Sequence, residues 1–175
     1  MKTSAIAAAV LLCSLSLFAE SAAGVRWTAP AGWKAEGPRP MRAATYTIDQ
    51  VAGDDPGAEC AINYFGPGQG GSIDANIERW KDQMRGPAGQ MAPATVAKRT
   101  VRGLAITTID ASGAYSGMGG PMAASPRLVP GYRLLGAIVE GPGGNVFVKL
   151  TGPAKTIAAN RQKFDQLLAS FQLDK

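Results

Sequence analysis

The 22 glycines and 12 prolines of this chain fall mainly between its apolar segments, and that placement constrains the fold more than any other feature. Glycine opens left-handed backbone angles, and proline cannot continue a helix or a central strand, so clusters of the two end regular elements. The chain is thereby cut into short pieces joined by turns. Val25–Thr28 and Arg42–Ile48 read as strands, the second with Ala44, Tyr46 and Ile48 on one face. Residues 51–57 form a polar turn, and residues 59–65 a third strand in which Cys60, Ile62 and Tyr64 alternate. After the glycine loop 66–71, Ser72 caps a helix predicted to run to Met84. Its apolar stripe is Ile73, Ile77, Trp80 and Met84.

The second half reads as hairpins. Residues 96–101 and 104–115 turn at Arg102-Gly103, a long Gly, Met and Pro loop covers 116–131, and residues 132–140 and 146–151 turn across 141–145. A closing helix over 154–171 carries Ile157, Phe164, Leu167, Leu168 and Phe171 on one stripe. Meandering strands with one helix inside and one at the end argue against βαβ units. They predict an α+β fold, an antiparallel sheet packed by helices.

The first two dozen residues bear on location. Lys2 precedes an uncharged run over residues 5–18, followed by Ala19-Glu20-Ser21-Ala22-Ala23, the layout of a secretory signal peptide. The run is about 14 residues, short of the roughly 20 that cross a bilayer as a helix. The expectation is a cleaved leader, 1–23, with Ser21 at −3 and Ala23 at −1, and a single α+β domain over 24–175. A cut after Ser21 or Ala22 is an alternative. Lipidation at Cys13 fits poorly, because Val10-Leu11-Leu12 places no small residue before it. The protein is therefore expected to be extracytoplasmic, periplasmic or secreted, with no integral membrane segment in the mature chain.

Composition narrows the chemistry. There is no histidine, so Ser-His-Asp and Cys-His catalysis and Cys/His zinc sites are excluded. Loss of the leader leaves Cys60 without a partner cysteine, and it reads as a buried thiol in a strand. The formal charge of +5 is spread along the chain rather than clustered, so no nucleic-acid partner is expected. A mature chain of about 150 residues is long enough for one self-sufficient core. A monomer without metal, cofactor or disulfide is expected.

Several local strings resemble the PsbP/Mog-type α-β-α sandwich. They are Trp27-Thr28-Ala29-Pro30-Ala31-Gly32-Trp33 at the mature start and Phe164, Leu168, Ser170 and Phe171 in the closing helix. Gly68-Gln69-Gly70-Gly71-Ser72 with Asn76, Ile77, Arg79 and Trp80 also resembles uncharacterised secreted bacterial relatives of that fold. The resemblance implies an α-β-α sandwich over nearly all of the mature chain. PsbP proteins are accessory subunits of a photosynthetic membrane complex, and the Mog branch binds a small GTPase. The binding residues of neither branch match this chain position by position, so the resemblance implies fold and not function.

Gly66-Pro67-Gly68-Gln69-Gly70-Gly71 also fits the spacing G-x-G-x-x-G. No βαβ unit surrounds it, and Pro67 removes an amide donor, so a glycine turn that docks the helix closely on the sheet is the better reading. Gln69, Asn76 and Arg79 are the candidate binding residues, for a small anionic ligand or an envelope protein, and a helix-to-loop hydrogen-bond network is the alternative. Asp54, Asp55 and Glu59 lack calcium-loop spacing, and Met84, Met91, Met118 and Met122 read as flexible filler. Asp110 and Glu140 end strands with nothing to pair them as acid and base. Together these features predict an exported, non-catalytic binding or accessory domain of the cell envelope. The alternatives are an envelope hydrolase or transferase using carboxylates, which needs a cleft with two carboxylates, and a carrier of a small apolar ligand, which needs an apolar cavity between sheet and helix.

Overall fold

The computed structural model describes residues 19–118 and 127–174. Most of the leader, Cys13 and Met122 lie outside them. Two sheets form. The smaller joins β1 (Ala19–Ala22), β2 (Val25–Thr28) and the C-terminal β11 (Gln172–Leu173) in the order β1-β2-β11. The larger comprises β3 (Lys34–Ala35), β4 (Arg42–Ile48), β5 (Ala58–Asn63), β6 (Met84–Arg85), β7 (Ala94–Val101), β8 (Leu104–Met118), β9 (Arg127–Gly141) and β10 (Gly144–Pro153). Its order is β3-β4-β5-β10-β9-β8-β6, with β7 also on β8, and its pairings are antiparallel. Helix α1 (Ile73–Asp82) packs on one face, and α2 (Ala154–Ala159) and α3 (Arg161–Ser170) on the other. This is the antiparallel sheet packed by helices predicted from the residues, in the α-β-α arrangement that the resemblance implied.

Alternation along the strands builds two cores, one per face. Tyr46, Cys60, Ile62, Val148, Leu150, Leu135, Ala137 and Ile106 point toward α2, α3 and the small sheet. There Trp27 stacks on Phe171 with ring centroids 5.3 Å apart. Phe147, Leu134, Ile138 and Ile109 point the other way, toward Ile77 and Trp80 of α1. Both Trp27 and Trp33 are buried, and the Trp33 indole N–H donates to Asn160 Oδ1 at 3.0 Å. That bond marks the break in the predicted closing helix. Asn160 ends α2 and donates its amide to Thr156 O at 2.9 Å, and α3 begins at the next residue. The whole stripe Ile157, Phe164, Leu167, Leu168 and Phe171 is nevertheless buried.

Other differences are local. Helix α1 stops at Asp82, and Met84 enters the core from β6, opposite Tyr115. Strands β8 and β9 run further into the predicted 116–131 loop, to Met118 and from Arg127. Strand β1 occupies residues assigned to the leader by the sequence.

Asp110 fastens α3 to the sheet. Its carboxylate accepts from Arg133 Nε and Nη2 at 2.8 and 2.7 Å and from Arg161 Nη1 at 2.7 Å. Burial alone would raise this carboxyl, but Arg133 and then Arg161 outweigh burial and hold it below its ordinary range. A lowered folded pKa stabilises the fold above the unfolded value, about 3.9, and the stabilisation fades as pH falls through the folded value. Asp110→Asn should cost about 1.5–3 kcal/mol near neutrality, as expected for hydrogen bonds to a charged group. Urea denaturation at neutral pH and at pH near 3 checks this: the gap between the two proteins should close at the acid end.

Candidate functional site

The glycine loop forms a structural joint. Gly66, Gly68, Gly70 and Gly71 all take positive φ, and the chain then turns into α1 with the Ser72 hydroxyl accepting from Ala75 N at 3.2 Å. Asn76 is fully buried, and its amide donates to Gly70 O and Ser72 O, each at 2.8 Å. Its Oδ1 accepts from Arg79. The side chain of Asn76 is therefore committed to holding loop against helix. Gln69 and Arg79 face a shallow recess of about 560 Å³, shared with Met41, Tyr64 and Phe65. The structure thus brings two of the three candidate residues to one concavity and places the third behind them. Strands around the loop are antiparallel, so the setting of a dinucleotide fold does not arise.

Other sequence candidates find structural partners. Asp54 accepts from the backbone N and hydroxyl of Thr156, both at 2.8 Å, at the start of α2. Glu59 binds Arg39 and Arg42 at 3.2 and 2.6 Å. Among the described residues no group of three or more His, Cys, Asp or Glu side chains could hold a metal. Cys60 is wholly buried, and burial followed by the charge of Glu59 pushes its thiol well above the ordinary range, so it stays protonated and unreactive.

A larger concavity lies on the α1 side of the sheet, where the helix leaves β4, β5 and part of β10 uncovered. It measures about 600 Å³, within the range of small-molecule sites. Its floor is made of the outward members of the alternation, including Thr47, Ala61, Asn63, Lys149 and Thr151, small or polar where the opposite face is apolar. One wall is the Tyr115–Tyr132 pair, stacked 5.8 Å apart with planes 1° from parallel. Burial first, then Tyr115 and Asp55, hold the Tyr132 phenol above its ordinary range, so it remains a neutral donor.

Lys149 is the chemical centre of this groove. Its ammonium donates to Tyr115 OH at 3.2 Å and Gln83 Oε1 at 3.3 Å, and lies 5.7 Å from the Tyr115 ring centroid. Both acceptors are neutral, and among the described residues Lys149 has no carboxylate partner. The bordering acids are occupied: Asp49 by Lys34 at 2.8 Å, and Glu59 by its two arginines. The groove and the glycine-loop recess adjoin. Met41 and Tyr64 line the recess, while their chain neighbours Arg42 and Asn63, the end residues of β4 and β5, line the groove and pair in register.

Sequence reading missed this groove. The usable signal was the run of small or polar residues Thr45, Thr47, Glu59, Ala61, Asn63, Lys149 and Thr151 on the face opposite the core. That run spans three strands, and their adjacency cannot be read from spacing, because β10 lies beside β5 in space and some eighty residues away in sequence.

No family model matches the chain, and no curated protein matches it in sequence. Solved structures do match in fold. LpqN of Mycobacterium tuberculosis, described as involved in cell envelope biogenesis, superposes with a TM-score of 0.56 at 12% identity over 85% of this chain and 82% of its own. Cyanobacterial PsbP (CyanoP) from Synechocystis superposes with a TM-score of 0.52 at 13% identity over 96% of this chain and 98% of its own. The chain has a PsbP-like α+β fold, as its tryptophan and glycine strings suggested. At such identities the likeness shows the fold alone.

Proposed function

We propose that this chain is an exported, non-catalytic accessory domain of the cell envelope that holds a small anionic ligand in the sheet groove. One observation carries the reading: an ammonium group, Lys149, stands on the floor of an open groove with only neutral partners among the described residues. A ligand carboxylate would complete its coordination, and the tyrosine pair and the threonines beside it would take the body of the molecule. The shared fold of LpqN, an envelope biogenesis protein, supports the location. No described helix is long and apolar enough to cross a membrane. The hydrolase alternative needs two available carboxylates, and Asp49 and Glu59 are both tied to basic side chains. The apolar carrier needs an apolar enclosure, and the groove is open and largely polar along its floor.

NMR titration with benzoate and with glucuronate, one flat and one sugar carboxylate, tests the reading. Amide shifts should concentrate at Ala61, Lys149 and Thr151, and Lys149→Met should weaken binding at least tenfold while leaving the melting temperature nearly unchanged. An equal response in Lys149→Met, or shifts confined to the glycine loop, would reject the groove as the site.

The glycine-loop recess supports a second contact, with an envelope protein. Met41 is 67% exposed beside Arg79 and Gln69, an apolar tip next to polar donors at a rim. Arg79 is exposed and bonds one side chain, so Arg79→Ala should leave folding nearly intact. In pull-downs from envelope extract, the same variant should retain less partner than the wild type.

A further inference from the structure

The start of the described chain bears on how the protein is processed. Strand β1 pairs with β2 over its full length, Ala19 opposite Thr28 through Ala22 opposite Val25. Glu20 accepts the hydroxyl proton of Tyr46, and the same phenolic oxygen accepts from Trp27 Nε1 at 2.9 Å. Ala23 is buried, and its carbonyl accepts from Gly143 N at 2.8 Å. Cleavage after Ala23 would discard all of these contacts except the Trp27–Tyr46 bond. Strand β2 would keep only β11, which covers Arg26 and Val25; Gly143 N–H would lose its acceptor, and Tyr46 its carboxylate.

We infer that the leader is cut between Ala19 and Glu20, so that the mature domain begins at Glu20 and keeps nearly all of the first strand. This rests on the reading of residues 1–18 as an export leader. Ala19 supplies the small residue that a signal peptidase takes at −1, directly after the apolar run, and Leu17 at −3 is uncharged though larger than the small residue of an A-x-A site. Water attacks the Ala19 carbonyl in the peptidase and the C–N bond to Glu20 breaks. Ala19 leaves as a carboxylate, and the nitrogen remains on Glu20 as the new α-ammonium. The peptidase acts on the extended chain before folding, so pairing in β1 does not hide the bond.

The full chain with a C-terminal tag, expressed in a bacterial host and recovered from the periplasm, decides the matter by intact mass and N-terminal sequencing. A start at Glu20 is expected. A start at Ala22, Ala23 or Gly24 would overturn the inference while leaving the export reading standing. A start at Met1 in the cytoplasm would overturn both. A second measurement compares chains produced directly from Glu20 and from Gly24. The shorter should melt about 5–10 °C lower, corresponding to a few kcal/mol in a domain of this size. Equal melting temperatures would show that β1 contributes nothing to the fold and remove the reason for the earlier cut.

Discussion

Trp80→Ala should destabilise the domain by about 3–5 kcal/mol, the usual loss for truncating a buried aromatic. Trp80 is 4% exposed and anchors α1 to the sheet among Ile77, Met84, Ile109, Leu134, Ile138 and Phe147. Its ring rests on Gly136 of β9 so closely that a Cβ there would fall 2.6 Å from two indole carbons. A bare backbone is matched here to a flat ring, so truncating the indole leaves a cavity over β9. The loss reaches the groove as well. Gln83, the C-cap of α1, accepts from Lys149, so a loosened helix leaves the ammonium less well placed. Urea curves for wild type, Trp80→Phe and Trp80→Ala check the first effect, with the phenylalanine variant falling between the other two. A Trp80→Ala midpoint equal to wild type would mean that α1 is not docked on this face. Carboxylate titration of the alanine variant under native conditions checks the second, where weaker binding is expected.

Helix α1 also shows what local pattern can reveal. Its Ser72 cap and its Ile77 and Trp80 contacts were legible because a helix writes its buried face at a fixed period within a dozen residues. The strands of the central hairpins were legible for the same reason, at period two. The end of α1 was not, because Met84 is apolar and in phase with the stripe; tertiary pairing with Tyr115 takes it into β6 instead. Strand β1 was missed because Ala19-Glu20-Ser21-Ala22 looks like the tail of a leader, and its strand character depends on β2 and Tyr46. Of the candidate residues, Asn76 and Arg79 were paired by helix spacing, which places them at i and i+3, and their side chains do bond each other. Lys149, Tyr115 and Tyr132 were beyond such reasoning. They meet only because β8, β9 and β10 bring remote segments together, and a lone lysine in a strand carries no local mark.

The glycine loop offers a sharper test of the same principle, since four of its glycines share positive φ but not the same surroundings. At Gly70, with φ of 88°, an added Cβ would lie 2.7 Å from the Phe147 ring and 2.8 Å from that of Phe65. At Gly68, with φ of 67°, it would meet nothing within 4 Å. Left-handed backbone costs a non-glycine residue about 1–2 kcal/mol at either position. Overpacking adds about 1–3 kcal/mol at Gly70 alone. Gly70→Ala should therefore lose about 2–5 kcal/mol and Gly68→Ala only about 1–2 kcal/mol, read as midpoint shifts at constant slope in urea. Equal losses would mean that backbone strain is the whole effect and that the two phenylalanines yield freely. The unequal result has a functional consequence, because Phe147 precedes Lys149 by two residues and shares its face of β10. A loop that must press on Phe147 moves the strand carrying the ammonium, so Gly70→Ala should weaken carboxylate binding in the groove, whereas Gly68→Ala should leave it unchanged.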